Sequence, residues 1–439
     1  MQGFSLGDKV VMGYSRRIMF ATRRKIFLQR LHKSSALLHT AAVTLRGADN
    51  EYAFRPDSNF YYLTGFAEDQ AAALFQPGSK HPYTLYVTPR NPDKERWSGL
   101  RAGIEGAKRD FHADLAVDIS QLEHDLPAIL KGQTSLYYNM GVNLPRDQRL
   151  LLPGALPSIK SWYQPDTILS EMRLIKSDYE ITQISEAAAI SGHAYHEVLK
   201  RLRECRFEYE VQALIEFQFK WHGAFGPSFQ SIVAAGNNAT TLHYHSNRSP
   251  LKHGDLILLD TGCSYNCYAS DVSRTFPISG KFSKPQAQIY QLVLQAQTAV
   301  IKMIRPGVRH AQLQEKARAI MAQGLLDLGI LKGGLANALK SEAFKRYYPH
   351  NIGHWLGLDV HDVGTYQGSD GQSRKLARGM VLTVEPGLYF NSLDTQVPKP
   401  FRGIGVRIED DILVTATGNR ILTASIPKEI ADIEAAMGG

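Results

Sequence analysis

The sequence predicts two domains, an α/β unit over residues 1–172 followed by an α+β unit over residues 173–439. Three observations carry that reading. The chain has 439 residues, more than one hydrophobic core usually organises. Its first part alternates helical and strand-like segments, the pattern of an α/β domain with a mixed sheet, whereas its second part joins long amphipathic helices to apolar runs that read as a largely antiparallel sheet. Between the two, Ser158 to Thr167 contains Trp162, Tyr163 and Pro165 and reads as a crossing, which sets the boundary near residue 172.

Taken in order, residues 1–12 read as a tail. Ser15 to Arg30 is basic and acid-poor, a trait shared with mitochondrial transit peptides, but is read more simply as an exposed basic helix opening the first domain. The helical pattern extends from Met19 to Leu38. Strands are expected at Ala41–Leu45, Ala71–Phe75, Tyr83–Thr88 and Ser135–Asn139, with a helix over Gln121–Leu130. In the second domain, Ser177-Asp178 with Glu180 in the first turn is a helix start, and an amphipathic pattern follows to Arg203. Further helices are expected at Glu208–Trp221, Lys284–Ile304 and His310–Leu328, the last two separated by Arg305-Pro306-Gly307. Strand-like runs lie at Ser231–Ala235, Asp255–Leu259, Tyr268–Phe276, Met380–Phe390 and Gly405–Thr415.

Composition removes several classes of function. Apolar residues make up 44% and charged residues 21%, the balance of an ordinary globular protein. No apolar run approaches the roughly 20 residues of a membrane span, and the N-terminus lacks the apolar core of a secretory signal. The net charge of +8 comes from dispersed Lys and Arg without a basic stripe or an aromatic RNA-binding signature, so no nucleic-acid partner is expected. Three cysteines, Cys205, Cys263 and Cys267, cannot form a disulfide framework, and Cys263-x3-Cys267 lacks the second pair of a zinc site. Free thiols fit a reducing compartment, and a cytoplasmic location is expected.

The chemistry begins at Asp255–Phe276, DLILLDTGCSYNCYASDVSRTF, where two apolar runs flank a turn-rich middle and each meets an aspartate, Asp260 and Asp271. Burying two like charges together is costly unless a cation compensates them. Further on, His350, His354 and His361 fall within 12 residues, among Pro349, Gly353 and Gly357, which disfavour a helix and let a ligand approach the backbone. Glu385 interrupts VLTVEPGLYF, and Glu409 interrupts GVRIEDDILV, so both are expected to be buried and in need of a partner. Four carboxylates and one imidazole favour a hard or borderline divalent ion such as Mn²⁺ over thiolate-bound zinc. Four negative charges are balanced by two such ions, and two-metal sites generate a nucleophile at neutral pH, so metal-assisted hydrolysis is the expected chemistry.

The order and setting of these residues, in LLDTGCSYNCYASDVSRTF, NIGHWLGLDVHD, LTVEPGLYF and GVRIEDDILVT, resemble the pita-bread (creatinase/aminopeptidase-like) metallopeptidases. EYAFRPDSNFYYLTGF and RWSGLRAG resemble the N-terminal domain of that family's aminopeptidase P branch, so the likeness spans nearly the whole chain. The resemblance implies an α/β N-terminal domain, a pita-bread catalytic domain and two Mn²⁺ ions. Asp260 would hold one ion, Asp271 and Glu409 both, and His354 and Glu385 the other, with Glu385 also shuttling the proton of a metal-bridging hydroxide. It implies oxyanion stabilisation by His361 and proton transfer by His350 and His243, the latter preferred over its neighbour His245. Tyr389, Arg407, Asp49 and Trp97 match substrate-side residues, with Asp49 linking to Arg407 and Trp97 supplied by a neighbouring subunit of a homotetramer or homodimer. The implied substrates are peptides with proline second, cleaved ahead of the proline. Prolidase, restricted to dipeptides, shares fold and ligands; a metal-free peptide-binding module would be expected to have lost ligands.

Overall fold

The computed structural model describes residues 6–438. The chain divides into two compact units, Met1–Arg173 and Leu174–Gly439.

The first unit opens with a helix over Leu6–Arg30, so the tail expected over residues 1–12 is helical from Leu6, and residues 1–5 lie outside those described. This helix is not simply an exposed basic element. Phe20, Arg23, Arg24 and Phe27 are buried, and Arg23 and Arg24 donate to the carbonyls of Tyr62 and Leu63 at 3.1 and 3.0 Å. It ends at Arg30 rather than Leu38, because Ser35–His39 is strand β1, buried at every position. A wholly buried run placed mid-sheet is a strand whatever its helical periodicity. Strands β2 (Ala72–Phe75), β3 (Tyr83–Val87), β4 (Leu115–Asp118), β5 (Ser135–Tyr138) and β6 (Ser161–Tyr163) complete a mixed sheet in the order β4-β3-β2-β1-β5-β6. β6 lies inside the segment read as a crossing, where Leu136 pairs with Trp162. The strand expected at Ala41–Leu45 is absent; only Leu45 bridges to Glu51.

In the second unit the helices Asp178–Arg201, Glu208–Trp221, Lys284–Met303 and His310–Asp327 stand where the sequence placed them. The Glu180 carboxylate accepts from the Ser177 backbone N–H at 2.9 Å and closes the capping box of the first. The strands are β7 (Gly226–Pro227), β8 (Ile232–Ala235), β9 (Leu256–Thr261), β10 (Cys263–Tyr265), β11 (Tyr268–Ala269), β12 (Val272–Pro277), β13 (Val381–Val384), β14 (Gly387–Phe390), β15 (Ile404–Arg407), β16 (Asp410–Val414) and β17 (Asn419–Ile421). All their pairings are antiparallel, in small sheets ordered β12-β9-β8, β11-β10-β7, β13-β16-β17 and β14-β15.

Three runs expected to be continuous are broken, each at a carboxylate. β11 and β12 part at Ser270-Asp271, β13 and β14 at Glu385-Pro386, and β15 and β16 at Ile408-Glu409. Pairing stops at these points, and the backbone is free to turn a polar side chain away from the sheet faces. The histidine-rich segment lies outside regular strands apart from a bridge between Trp355 and Leu382. Gly353 permits this approach, since a Cβ there would collide with the Thr383 carbonyl.

Candidate metal centre

Asp260 stands near the end of β9, opposite Ser273 of β12 in register. With Asp271, Glu385 and Glu409 at the three strand breaks and His354 on the irregular segment, all five expected ligands line one cavity of about 340 Å³. Asp271, His354 and Glu409 each offer a ligand atom, and these atoms lie within 4.8 Å of one another. His354 Nε2 is 3.4 Å from Asp271 Oδ2 and 3.5 Å from Glu385 Oε1. Its other nitrogen, Nδ1, is 3.1 Å from the Trp355 carbonyl. With Nδ1–H donating there, the Nε2 lone pair points to the carboxylates, as a carbonyl behind the ring orients metal-ligating histidines.

The electrostatics point the same way. Burial, and then the charges of Asp260, Asp411 and Glu385, push the Asp271 carboxyl well above its ordinary range. Burial, followed by Asp271, Glu385 and Asp260, does the same to Glu409, and burial raises Glu385. Asp271 Oδ1 has no hydrogen-bond partner among the described residues. Crowded, buried carboxylates with an orphaned oxygen and one presented imidazole nitrogen are the donor set of divalent metal ions, and the residues fit that group.

Around these ligands runs a chain of donors. Arg407 Nη2 donates to Asp260 Oδ2 at 2.6 Å, its Nε to Ser273 Oγ at 2.8 Å, and its Nη1 to Tyr389 Oη at 2.8 Å. Tyr389 Oη lies 2.8 Å from His350 Nε2, and His350 Nδ1 lies 2.8 Å from the Asn351 carbonyl. The partners assign the tautomer: Nδ1–H donates to the carbonyl and Nε2 accepts from the phenol. Burial lowers His350 to about 4 and raises Tyr389 to about 12, so both are neutral near pH 7. His361 packs edge-on to His354 with ring centroids 4.3 Å apart, and burial followed by His354 lowers its pKa. His243 and His245 both line the cavity, their rings stacked at 6.2 Å.

Asp49 and Trp97 lie in the first unit. Asp49 is exposed and accepts from Asn50 Nδ2 at 3.1 Å. Trp97, on the helix Pro92–Ser98, is 93% exposed, which excludes a core role in its own unit. Sequence reasoning missed Ser273, whose hydroxyl touches three site groups, and the apolar wall of Phe229, Ile232, Leu242 and Val360. Ser273 carried one signal, its place two residues after Asp271 in the same strand-like run. The apolar wall carried none.

The profile of metallopeptidase family M24 matches residues 182–416, and that of the aminopeptidase P N-terminal domain matches residues 20–138. A Xaa-Pro aminopeptidase of Haemophilus influenzae is 45% identical over 415 residues, covering 94% of this chain and 95% of its own. That of Escherichia coli is 38% identical over 432 residues, covering 95% and 97%. Among solved structures, the Pseudomonas aeruginosa aminopeptidase PepP aligns with a TM-score of 0.91 at 41% identity, covering 96% of this chain and 98% of its own. E. coli aminopeptidase P with the inhibitor Pro-Leu aligns with a TM-score of 0.89 at 37% identity, covering 96% and 98%.

Proposed function

The chain belongs to metallopeptidase family M24, and from its aminopeptidase P N-terminal domain and its Xaa-Pro aminopeptidase relatives we infer that it is a metal-dependent Xaa-Pro aminopeptidase, releasing the first residue of peptides whose second residue is proline. The observation that carries the metal dependence is the converging set of Asp271, His354 and Glu409, with His354 Nε2 left open by the bond at Nδ1. An Xaa-Pro bond is a tertiary amide without an N–H, so an enzyme that cleaves it must grip the ring and the carbonyl instead. The E. coli relative binds Pro-Leu, a dipeptide with the proline end such cleavage would release.

We propose that Asp260 holds one ion, Asp271 and Glu409 both, and His354 and Glu385 the other. When bound, the ions supply a nucleophilic water at neutral pH and polarise the scissile carbonyl. Oxygen-rich ligation with one imidazole favours Mn²⁺. Glu385 takes up and returns the proton, and His361 donates a hydrogen bond to the developing oxyanion. His350, kept neutral and tied to Tyr389 and Arg407, assists proton transfer together with His243 on the cavity rim. Tyr389 and Arg407 bound the proline end of the cleft. The near-complete exposure of Trp97 supports its contribution to a neighbouring subunit in a homodimer or homotetramer. The domain boundary is placed near residue 172, which the compact units Met1–Arg173 and Leu174–Gly439 support. Among the described residues no helix is long and apolar enough to cross a membrane, and three cysteines outside any disulfide support a cytoplasmic setting.

The test is direct. Metal-stripped protein reloaded with Mn²⁺ is given a longer Xaa-Pro peptide and an Xaa-Pro dipeptide, and the released first residue is followed by mass spectrometry. Cleavage of the longer peptide is expected. Hydrolysis of the dipeptide alone identifies a prolidase, and absence of both metal uptake and activity identifies a binding module.

A further inference from the structure

We propose that Ser273 is a positioning residue of the metal centre, its hydroxyl holding Asp260, Glu409 and Arg407 in one fixed relation. The inference rests on the ligand set proposed above and concerns a residue outside it.

Ser273 is fully buried on β12, directly across from Asp260 on β9. Its Oγ lies 2.9 Å from Asp260 Oδ1 and 2.8 Å from Glu409 Oε2, and accepts from Arg407 Nε at 2.8 Å. Its carbonyl accepts the Glu409 N–H at 3.0 Å, so a single residue grips Glu409 at the main chain and at the tip of its side chain. Arg407 Nη2 meets the second Asp260 oxygen at 2.6 Å. Arg407, Ser273 and Asp260 therefore close a ring of hydrogen bonds.

A buried serine that needed only to be satisfied would require one partner. This one has three, all ionisable side chains, and two are carboxylates assigned to different duties, one ligand to a single ion and one shared by both. The hydroxyl hydrogen serves one carboxylate at a time while the oxygen accepts from Arg407, and the three contacts together leave each carboxylate little freedom to rotate. Ordering the ligands in the folded chain lowers the cost of ordering them when an ion arrives. Through Arg407 the same hydroxyl is joined to Tyr389 and His350, so ligand geometry and the cleft wall share one anchor.

The experiment compares wild type with Ser273→Ala and, because a buried site can resist any change, with the isosteric pair Ser273→Thr and Ser273→Val. Mn²⁺ is titrated calorimetrically into each stripped protein, and the Mn²⁺ concentration giving half-maximal activity is measured alongside. Loss of the hydroxyl is expected to weaken Mn²⁺ binding roughly 10- to 100-fold. The half-activating concentration should rise in step, and much of kcat should return at saturating Mn²⁺. The threonine variant should bind near the wild-type affinity and the valine variant like alanine. Wild-type affinity in both the alanine and valine variants overturns the positioning role and leaves the ligand set standing. Absence of Mn²⁺ uptake by wild type itself overturns the ligand set and this role with it.

Discussion

Glu409 and Asp410 are neighbours in sequence, both fully buried, and they meet opposite fates. Asp410 opens β16 inside a complete ion-pair network. Its Oδ1 accepts from Arg274 Nη2 and Thr423 Oγ1 at 2.7 Å each, and its Oδ2 accepts from Gln297 Nε2 at 2.8 Å and Lys428 Nζ at 2.6 Å. Burial pushes its carboxyl up, but Arg274 and Lys428 outweigh that and bring it down to about 2. Glu409 sits in the gap before the strand, with a shared hydroxyl as its tip's hydrogen-bond partner among the described residues, and burial with neighbouring carboxylates drives its pKa well up. A chain that neutralises one buried carboxylate so fully can neutralise another. That it leaves Glu409, Asp271 and Glu385 short of positive charge marks the centre as built for a cation from outside.

The largest effect that can break this contrast is at the metal side. Asp271→Asn removes a charge from the under-neutralised set. Turnover of an Xaa-Pro peptide should fall on the order of 10³-fold, the several kcal/mol a polarising ion supplies. Mn²⁺ content should fall with it, because ligand charge and metal retention are linked. Unchanged metal content and turnover would remove Asp271 from the site.

Arg274→Met attacks the other half. It strips Asp410 of its main partner and leaves a buried carboxylate under-paired, a change that typically costs about 3–5 kcal/mol. Urea unfolding should show that loss even in metal-stripped protein, where the ligand variant should not. If the arginine variant instead kept its stability and lost only Mn²⁺, the two networks would be one functional unit and the contrast would fail.

The same contrast explains what could be read from sequence. Carboxylates that interrupt apolar runs are conspicuous, so Asp260, Asp271, Glu385 and Glu409 were legible, as was His354 among its glycines. The breaks in pairing at those residues were not, because alternation of side chains continues across a gap that only the backbone shows. Ser273 and Arg274 look like ordinary strand residues, and their partners lie more than 130 positions away in Glu409 and Asp410. Helices with local caps, such as Asp178–Arg201, were placed well. Residues 35–38 carry a helical periodicity that misleads, because their strand character comes from the sheet around β1 and not from their own pattern.

His39, in the first unit, supplies a third way of burying an ionisable group, and the smallest effect. It is fully buried at the end of β1, edge-on to Tyr138 at 5.5 Å, and neither ring nitrogen has a partner among the described residues. Burial, and then Arg146 and Arg149, lowers its pKa well below the usual value, so it is neutral in the folded chain. The unfolded chain binds a proton below about pH 6.5 and the folded chain does not, so stability falls as pH drops through that value. Between pH 7 and pH 5 the difference amounts to roughly 2 kcal/mol for a ring that stays neutral. His39→Phe keeps an aromatic ring against Tyr138 and removes the titration, so unfolding of the first unit should lose that much of its dependence on pH. Identical pH dependence in wild type and variant would mean that the ring takes up its proton in the folded chain as readily as in the unfolded one, and that burial without partners does not hold it neutral.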